Sequence, residues 1–201
     1  MGLMQKLSVV VALTGLMNAC GADRSELASN LDSATSSGAC PSNIKWVYPH
    51  IPKLTGEVLN FARSHLNQTV GGGECADLPV TALKKYGAKN FYDLGPTGLN
   101  ADYVWGSLVD TVTPNAARMS RVVPGDIVQF TGANFYWSTG NGGWQSAQAA
   151  HHTAVVEAAS ADGKSLCVLQ QNSGGKRYVT YGYYNIAGLK SGMLRVYSPI
   201  Q

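Results

Sequence analysis

The sequence predicts an α+β domain, with helices in its first part and an antiparallel sheet in its second. Before about residue 112, apolar residues recur at the three- and four-residue spacing of amphipathic helices. From about residue 126 onward, β-branched and aromatic residues form short runs separated by turns that contain Gly, Asp or Asn. Helices followed by strands indicate an α+β fold. The short turns predict a meandering antiparallel sheet with the helices packed on it.

The length and the charge of the chain limit which classes of function it can have. The chain of 201 residues is long enough for one domain with a real core. Without Lys6, which lies in the leader, 14 basic and 12 acidic residues remain, and no basic run is present. We therefore expect no nucleic-acid partner. We also expect a monomeric protein.

The first 20 residues have the pattern of a signal peptide, because one lysine precedes an apolar run over residues 7–17 that is too short to span a bilayer. The letters MNAC at residues 17–20 are similar to a bacterial lipobox, in which Cys20 would carry lipid. Simple secretion with cleavage between residues 19 and 22 is the alternative. Either way, we expect the protein outside the cytoplasm, secreted or as a membrane-anchored lipoprotein.

Residues 21–40 are rich in Ser, Ala and Asn and predict a flexible polar tether. The folded domain is expected to span residues 41–201. Its first helix should be capped by Thr55 and should bury one apolar face. That face comprises Val58, Phe61, Ala62 and Leu66.

The stretch GGGECADL, residues 71–78, delivers Cys75 to the start of the second predicted helix. The buried face of that helix is expected to comprise Leu78, Pro79, Ala82, Leu83 and Tyr86. A thiol at a helix N-terminus can have its pKa of ~8.5 lowered by a unit or more. Cys75 is therefore a candidate nucleophile. A small buried cysteine that packs under a glycine-rich turn remains the alternative.

The middle of the chain is rich in aromatic residues. A short helix is predicted around residues 101–112, where Trp105 fits either the core or a cleft wall. A strand is expected over residues 127–130, after a Pro-Gly-Asp turn. Residues 131–150 show no clear period and predict a long functional loop, in which Trp137 and Trp144 are candidates for substrate contact.

The remainder predicts strands in HHTAVVEAA and SLCVLQQN and at residues 176–184 and 193–197. Alternation places His152 on one face of its strand and His151 on the other. Gln170 and Asn172 likewise share a face, and one of these amides could hold the imidazole of His152 as a general base. His151 is then a candidate substrate contact. Because adjacent strand residues point apart, the histidine pair does not predict a metal site.

Four motifs together resemble the NlpC-like and CHAP (cysteine, histidine-dependent amidohydrolase/peptidase) superfamily of papain-like enzymes. They are GECADL, PGDIVQF, HHTAVV and VLQQN, and the resemblance covers about residues 55–199. It implies a papain-like fold, with Cys75 as nucleophile and His152 as base, and an acyl-enzyme intermediate formed without metal or cofactor. It also implies cleavage of amide bonds, typically in peptidoglycan. The CHAP pattern often has Glu and then Asn where this chain has Gln170 and Asn172.

The run ECADLPVTALKKYGAKNFYDLGPTGLNADYVWG resembles more closely a cysteine-proteinase-fold domain of fungal actin-patch adaptor proteins and similar bacterial secreted proteins. No clear reaction is attached to that group. A catalytically silent wall- or glycan-binding module and a structural lipoprotein are therefore the alternative functions.

Cysteine parity adds one expectation. If Cys20 is lipidated and Cys75 is free, then Cys40 and Cys167 remain and could pair. Two unpaired thiols are the alternative.

Overall fold

A computed structural model describes residues 40–98, 100–139 and 142–201. The predicted signal peptide, the candidate lipidation site Cys20 and nearly all of the predicted tether lie outside the described residues. Within the described part, no helix is long and apolar enough to cross a membrane.

The described residues form three α-helices and seven strands. The helices are α1 (Lys53–Ser64), α2 (Asp77–Lys85) and α3 (Phe91–Leu94). The strands are β1 (Trp46–Val47), β2 (Ser107–Val112), β3 (Ile127–Ser138), β4 (Trp144–Ser160), β5 (Ser165–Gln170), β6 (Thr180–Asn185) and β7 (Leu189–Ser198). This order of helices and then strands confirms the predicted α+β class.

The strands form one antiparallel sheet in the order β2-β7-β3-β4-β5-β6. Strands β3 to β6 meander as predicted. Strand β7 instead returns across the sheet and lies between β2 and β3. The short β1 pairs with the end of β4, so the N-terminal arm is laid on the domain.

Alternation along the strands divides the core into two clusters. On the helix side, α1 and α2 pack against Ile127, Val155 and Leu169. The opposite cluster contains Phe130 and Ala154. Because successive strand residues face opposite sides, Val155 belongs to the helix-side cluster, and its neighbours Ala154 and Val156 belong to the opposite one.

Helix α1 begins at Lys53, directly after Pro52. The expectation that Thr55 caps this helix is therefore wrong, because Thr55 lies inside it and is buried. Pro52 has no backbone N–H and a fixed φ, which suits a position just outside a helix.

Two other predictions in the middle of the chain are also wrong. Residues 101–112 contain no helix, because residues 101–106 are irregular and Ser107–Val112 form β2. Tyr103 and Trp105 in this stretch are buried. Residues 131–150 are mostly the paired halves of a long hairpin formed by β3 and β4. The two-residue period is obscured there because Gly132 has a left-handed backbone and the β3–β7 register shifts beside it.

Of the two alternatives for Cys40 and Cys167, the structure shows the disulfide. It connects residues 127 positions apart in sequence and attaches the start of the described chain to β5. Cys167 lies on the face of β5 opposite Gln170, as the alternation predicts.

Candidate active site

A glycine-rich loop, residues 71–76, carries Cys75 to a position two residues before α2. Gly71 and Gly73 have φ values of 59° and 81°, which other residues adopt only at a cost. A Cβ on Gly73 would also lie 2.9 Å from the carbonyl oxygen of Arg177. The glycines therefore permit a tight loop that leaves Cys75 fully buried.

The carboxylate of Glu74 holds this loop to the segment that follows β5. Its Oε1 accepts a hydrogen bond from Arg177 Nη2 and its Oε2 accepts one from Asn172 Nδ2, both at 2.6 Å. Arg177 Nη2 also donates to the carbonyl of Gly72 at 2.6 Å. Asn172, one of the two amides predicted as candidates to hold His152, therefore contacts the Cys75 loop through its side-chain amide.

Gln171 holds the same loop from the helix side. Its Nε2 donates to the carbonyls of Val70 at 2.9 Å and Glu74 at 2.6 Å, and its Oε1 accepts from the N–H of Val70 at 3.1 Å. The sequence did not single out Gln171, because only its neighbours share a face with His152. Gln171 directly follows β5 and is fully buried, and a buried amide needs hydrogen-bond partners. A polar amide at the end of an apolar strand is the signal that could have identified it.

The imidazole of His152 is held by Gln170, as the strand period predicts. Gln170 Oε1 accepts from His152 Nε2 at 2.9 Å and from the hydroxyl of Tyr184 at 2.9 Å. Because an amide oxygen can only accept, His152 carries its proton on Nε2. Its Nδ1 then has the lone pair that a general base needs.

His152 is buried, and burial lowers its pKa to about 4. The hydrogen bond to Gln170 raises the pKa by a smaller amount, and the proximity of His151 lowers it. His152 is therefore neutral at neutral pH and able to accept a proton, although as a weak base.

The two histidines lie on opposite sides of β4, as predicted. His152 shares a face with Ala154 and lies near Phe130, with ring centroids 5.9 Å apart, in the cluster away from the helices. His151 is on the helix side, where its Nε2 contacts the carbonyl of Ala101 and its ring meets Tyr103 edge-on at 4.9 Å.

Cys75 does not have a free thiol in this structure. It is disulfide-bonded, so the expectation of a free cysteine at this position is wrong for this form of the protein. A disulfide sulfur has no proton to transfer to a base and is not a thiolate nucleophile. The arrangement can act as a cysteine enzyme only after this bond is reduced.

The three tryptophans predicted to contact substrate have different environments. Trp105 is fully buried and donates from its indole N–H to Gln129 Oε1 at 3.0 Å, so it belongs to the core and not to a cleft wall. Trp137 is partly buried against the core cluster away from the helices. Trp144 is 60% exposed and stacks on Tyr136 at a centroid distance of 4.8 Å.

No group of three or more His, Cys, Asp or Glu side chains in the described part of the chain could hold a metal ion.

Comparison with known proteins identifies the fold. A family model described as the AIM3/BBC1 cysteine proteinase-fold domain matches residues 52–201, which confirms the predicted resemblance. Among solved structures, the crystal structure of Ly7917 is 25% identical, with a TM-score of 0.40 over 71% of this chain and 62% of that chain. The structure of Ly7917 with the hydrolyzing product of MDP is 23% identical, with a TM-score of 0.46 over 72% and 62%. This chain thus spans less than two thirds of those chains. No curated protein matches it.

Proposed function

Because the chain belongs to the AIM3/BBC1 cysteine proteinase-fold family, we propose that it hydrolyses amide or peptide bonds with Cys75 as the nucleophile once an external thiol has reduced the Cys75 disulfide by thiol–disulfide exchange. His152 is the proposed base and Gln170 its positioning residue. The substrate class that we propose is a peptide, including peptidoglycan peptides, and the site of action is outside the cytoplasm. The Cys40–Cys167 disulfide supports an oxidising compartment.

The observation that carries this proposal is the set of hydrogen bonds from the end of β5 to both halves of the site. Gln170 holds His152, and the next residue, Gln171, holds the carbonyl of Glu74, the residue before Cys75. One short segment thus fixes the base and the backbone of the nucleophile. Gln170 and Gln171 project from opposite faces of this segment, so Gln170 holds His152 on the side away from the helices and Gln171 holds the Cys75 loop on the helix side.

The proposed reaction proceeds in two steps. His152 Nδ1 takes the thiol proton as Cys75 Sγ attacks the carbonyl carbon; the C–N bond then breaks and the amine leaves with that proton. Water next attacks the thioester, transfers a proton to His152 and releases the acid, while Sγ regains its proton. His151 is the competing candidate for the base, because it lies on the side of β4 that faces α2, whereas His152 lies on the other side.

A catalytically silent wall- or glycan-binding module is the second candidate function. The full burial of Cys75 and its disulfide favour it, because both keep the sulfur from substrate. In that case the exposed Trp144 would supply the ligand contact, since aromatic faces are suited to stacking on apolar ligand surfaces.

The test compares wild type with Cys75→Ala on peptide amides and peptidoglycan fragments, with and without reductant. We expect hydrolysis by reduced wild type only, and a loss of roughly 10³-fold or more in Cys75→Ala. His152→Ala should match that loss, and His151→Ala should retain most of the activity.

A Cys40→Ala/Cys167→Ala variant is the control for reduction of the other disulfide, and it should still require reductant. Equal rates for reduced wild type and Cys75→Ala, or no hydrolysis by either, would favour the silent module.

A further inference from the structure

Resting on the proposed function, we infer that Gln171 is a positioning residue that fixes the peptide plane between Glu74 and Cys75 and so aims the Cys75 N–H at the oxyanion formed during the reaction. Gln171 does not touch the reacting atoms. It acts through the carbonyl of Glu74.

The geometry of the peptide bond makes this action direct. The six atoms of a peptide unit lie in one plane, and its C=O and N–H point in opposite directions. The Glu74 carbonyl accepts from Gln171 Nε2 at 2.6 Å and from the N–H of Asp77 at 3.1 Å. Two donors on this oxygen oppose rotation of the plane, and the orientation of the Cys75 N–H is thereby set as well.

The loop needs such a restraint because of its composition. Residues 71–73 are three glycines, which have more backbone freedom than any other residue. Gln171 holds both flanks of this triplet, Val70 and Glu74, with all the polar atoms of its side-chain amide in use. It is also fully buried, so water does not compete for these bonds.

The expected catalytic effect is that of a weakened oxyanion donor. Removal of one such donor costs on the order of 10²–10³ in kcat in well-studied enzymes. Loss of Gln171 leaves the Cys75 N–H in place but frees the Glu74–Cys75 peptide plane to rotate. We therefore expect a smaller effect, a fall in kcat of about tenfold or more with KM unchanged.

The test uses two reagents that differ in their need for an oxyanion site. A peptide aldehyde adds to the thiol by forming a C–S bond; the carbonyl electron pair moves to oxygen, which receives the thiol proton. Iodoacetamide is attacked at carbon and releases iodide, so no oxyanion forms. In reduced Gln171→Met, aldehyde affinity should fall at least about tenfold, while the alkylation rate of Cys75 stays within about twofold of wild type.

Gln129→Met is the matched control, because Gln129 is another fully buried glutamine on the helix side of the sheet that contacts Trp105 and Thr153 instead of the loop. It should bind the aldehyde as wild type does. If Gln171→Met does not fold, Gln171→Glu keeps the side-chain shape and the acceptor for Val70 while removing both donors, and it should show the same loss.

Equal aldehyde affinity in wild type and the folded Gln171 variant would overturn the role of Gln171 and leave the proposed function intact. Slow alkylation of Cys75 and no aldehyde binding in reduced wild type would overturn both.

Discussion

At the scale of single residues, two buried titratable side chains have pKa values displaced in opposite directions. His152 is held neutral by burial, with a pKa of about 4. Asp126 is buried in the turn before β3, and burial raises its pKa to about 6. The Val123 N–H, which donates to Asp126 Oδ2 at 2.9 Å, and the hydroxyl of Ser198 lower that pKa by less.

The two residues should make opposing contributions to the dependence of stability on pH. The folded pKa of His152 is below its unfolded value of 6.5, so its contribution is complete above pH 6.5 and is lost as the pH falls toward 4. The folded pKa of Asp126 is above its unfolded value of 3.8, so its contribution is complete below pH 3.8 and is lost as the pH rises through 6. Each amounts to about 3 kcal/mol in the free energy of unfolding.

We therefore predict that substitution of either residue reveals the pH dependence of the other. Between pH 4 and 6, the free energy of unfolding should rise with pH more steeply in Asp126→Asn than in wild type. In His152→Gln, the free energy of unfolding minus that of wild type should fall as the pH rises over the same range. Urea unfolding at a series of pH values measures these slopes, and the comparison does not depend on how much each variant is destabilised overall. Slopes identical to that of wild type would contradict the assigned pKa shifts.

At the scale of elements, the strength of the local period determined what the sequence could predict. The buried residues Leu78, Ala82 and Leu83 of α2 follow the helical spacing and are confirmed. The pairing of His152 with Gln170 follows from alternation along β4 and β5. The outer half of the β3–β4 hairpin was missed, because a left-handed glycine interrupts its alternation and tertiary pairing, rather than local preference, makes it a strand.

The candidate site was predictable only where it depends on one strand face. Gln171 was missed because its partners are backbone groups about 100 positions earlier in the chain, which no local pattern reveals. The disulfide at Cys75 was missed because four cysteines allow three complete pairings, and sequence alone does not choose among them.

The contact between the start of β3 and α1 gives a prediction at this scale. Gly125 has a φ of 93°, and a Cβ placed on it would lie 2.0 Å from the carbonyl oxygen of Thr55 in α1. Gly125→Ala should therefore destabilise the domain by roughly 3 kcal/mol, since backbone strain adds to an overpacked contact. A thermal or urea unfolding curve measures the loss.

Gly87→Ala separates the two causes, because Gly87 also has a positive φ, 67°, but a Cβ there meets nothing within 4 Å. It should cost only about 1 kcal/mol, the strain term alone. Equal losses in the two variants would show that the contact with Thr55 contributes little.

At the scale of the whole molecule, the sheet connects segments that are distant in sequence. Strand β7, the last in the chain, lies between β2 and β3. The Cys40–Cys167 bond closes a loop whose ends are 127 residues apart. Such a cross-link mainly restricts the unfolded chain, and the restriction grows with the logarithm of loop length.

We predict that this disulfide contributes a substantial part of the protein's free energy of unfolding. For a loop of this length the entropic contribution is up to about 5 kcal/mol, and removal of a native disulfide usually costs about 2–5 kcal/mol. The measurement is best made in Cys75→Ala protein, so that reductant acts on Cys40–Cys167 and not at Cys75. Addition of reductant should lower the urea midpoint of that protein strongly, and further substitution of Cys40→Ser and Cys167→Ala should give the same lowered midpoint without reductant. A midpoint unchanged by either treatment would mean that the unfolded chain is already compact enough for the cross-link to restrict it little, and that the sheet and its two clusters alone hold the N-terminal arm in place.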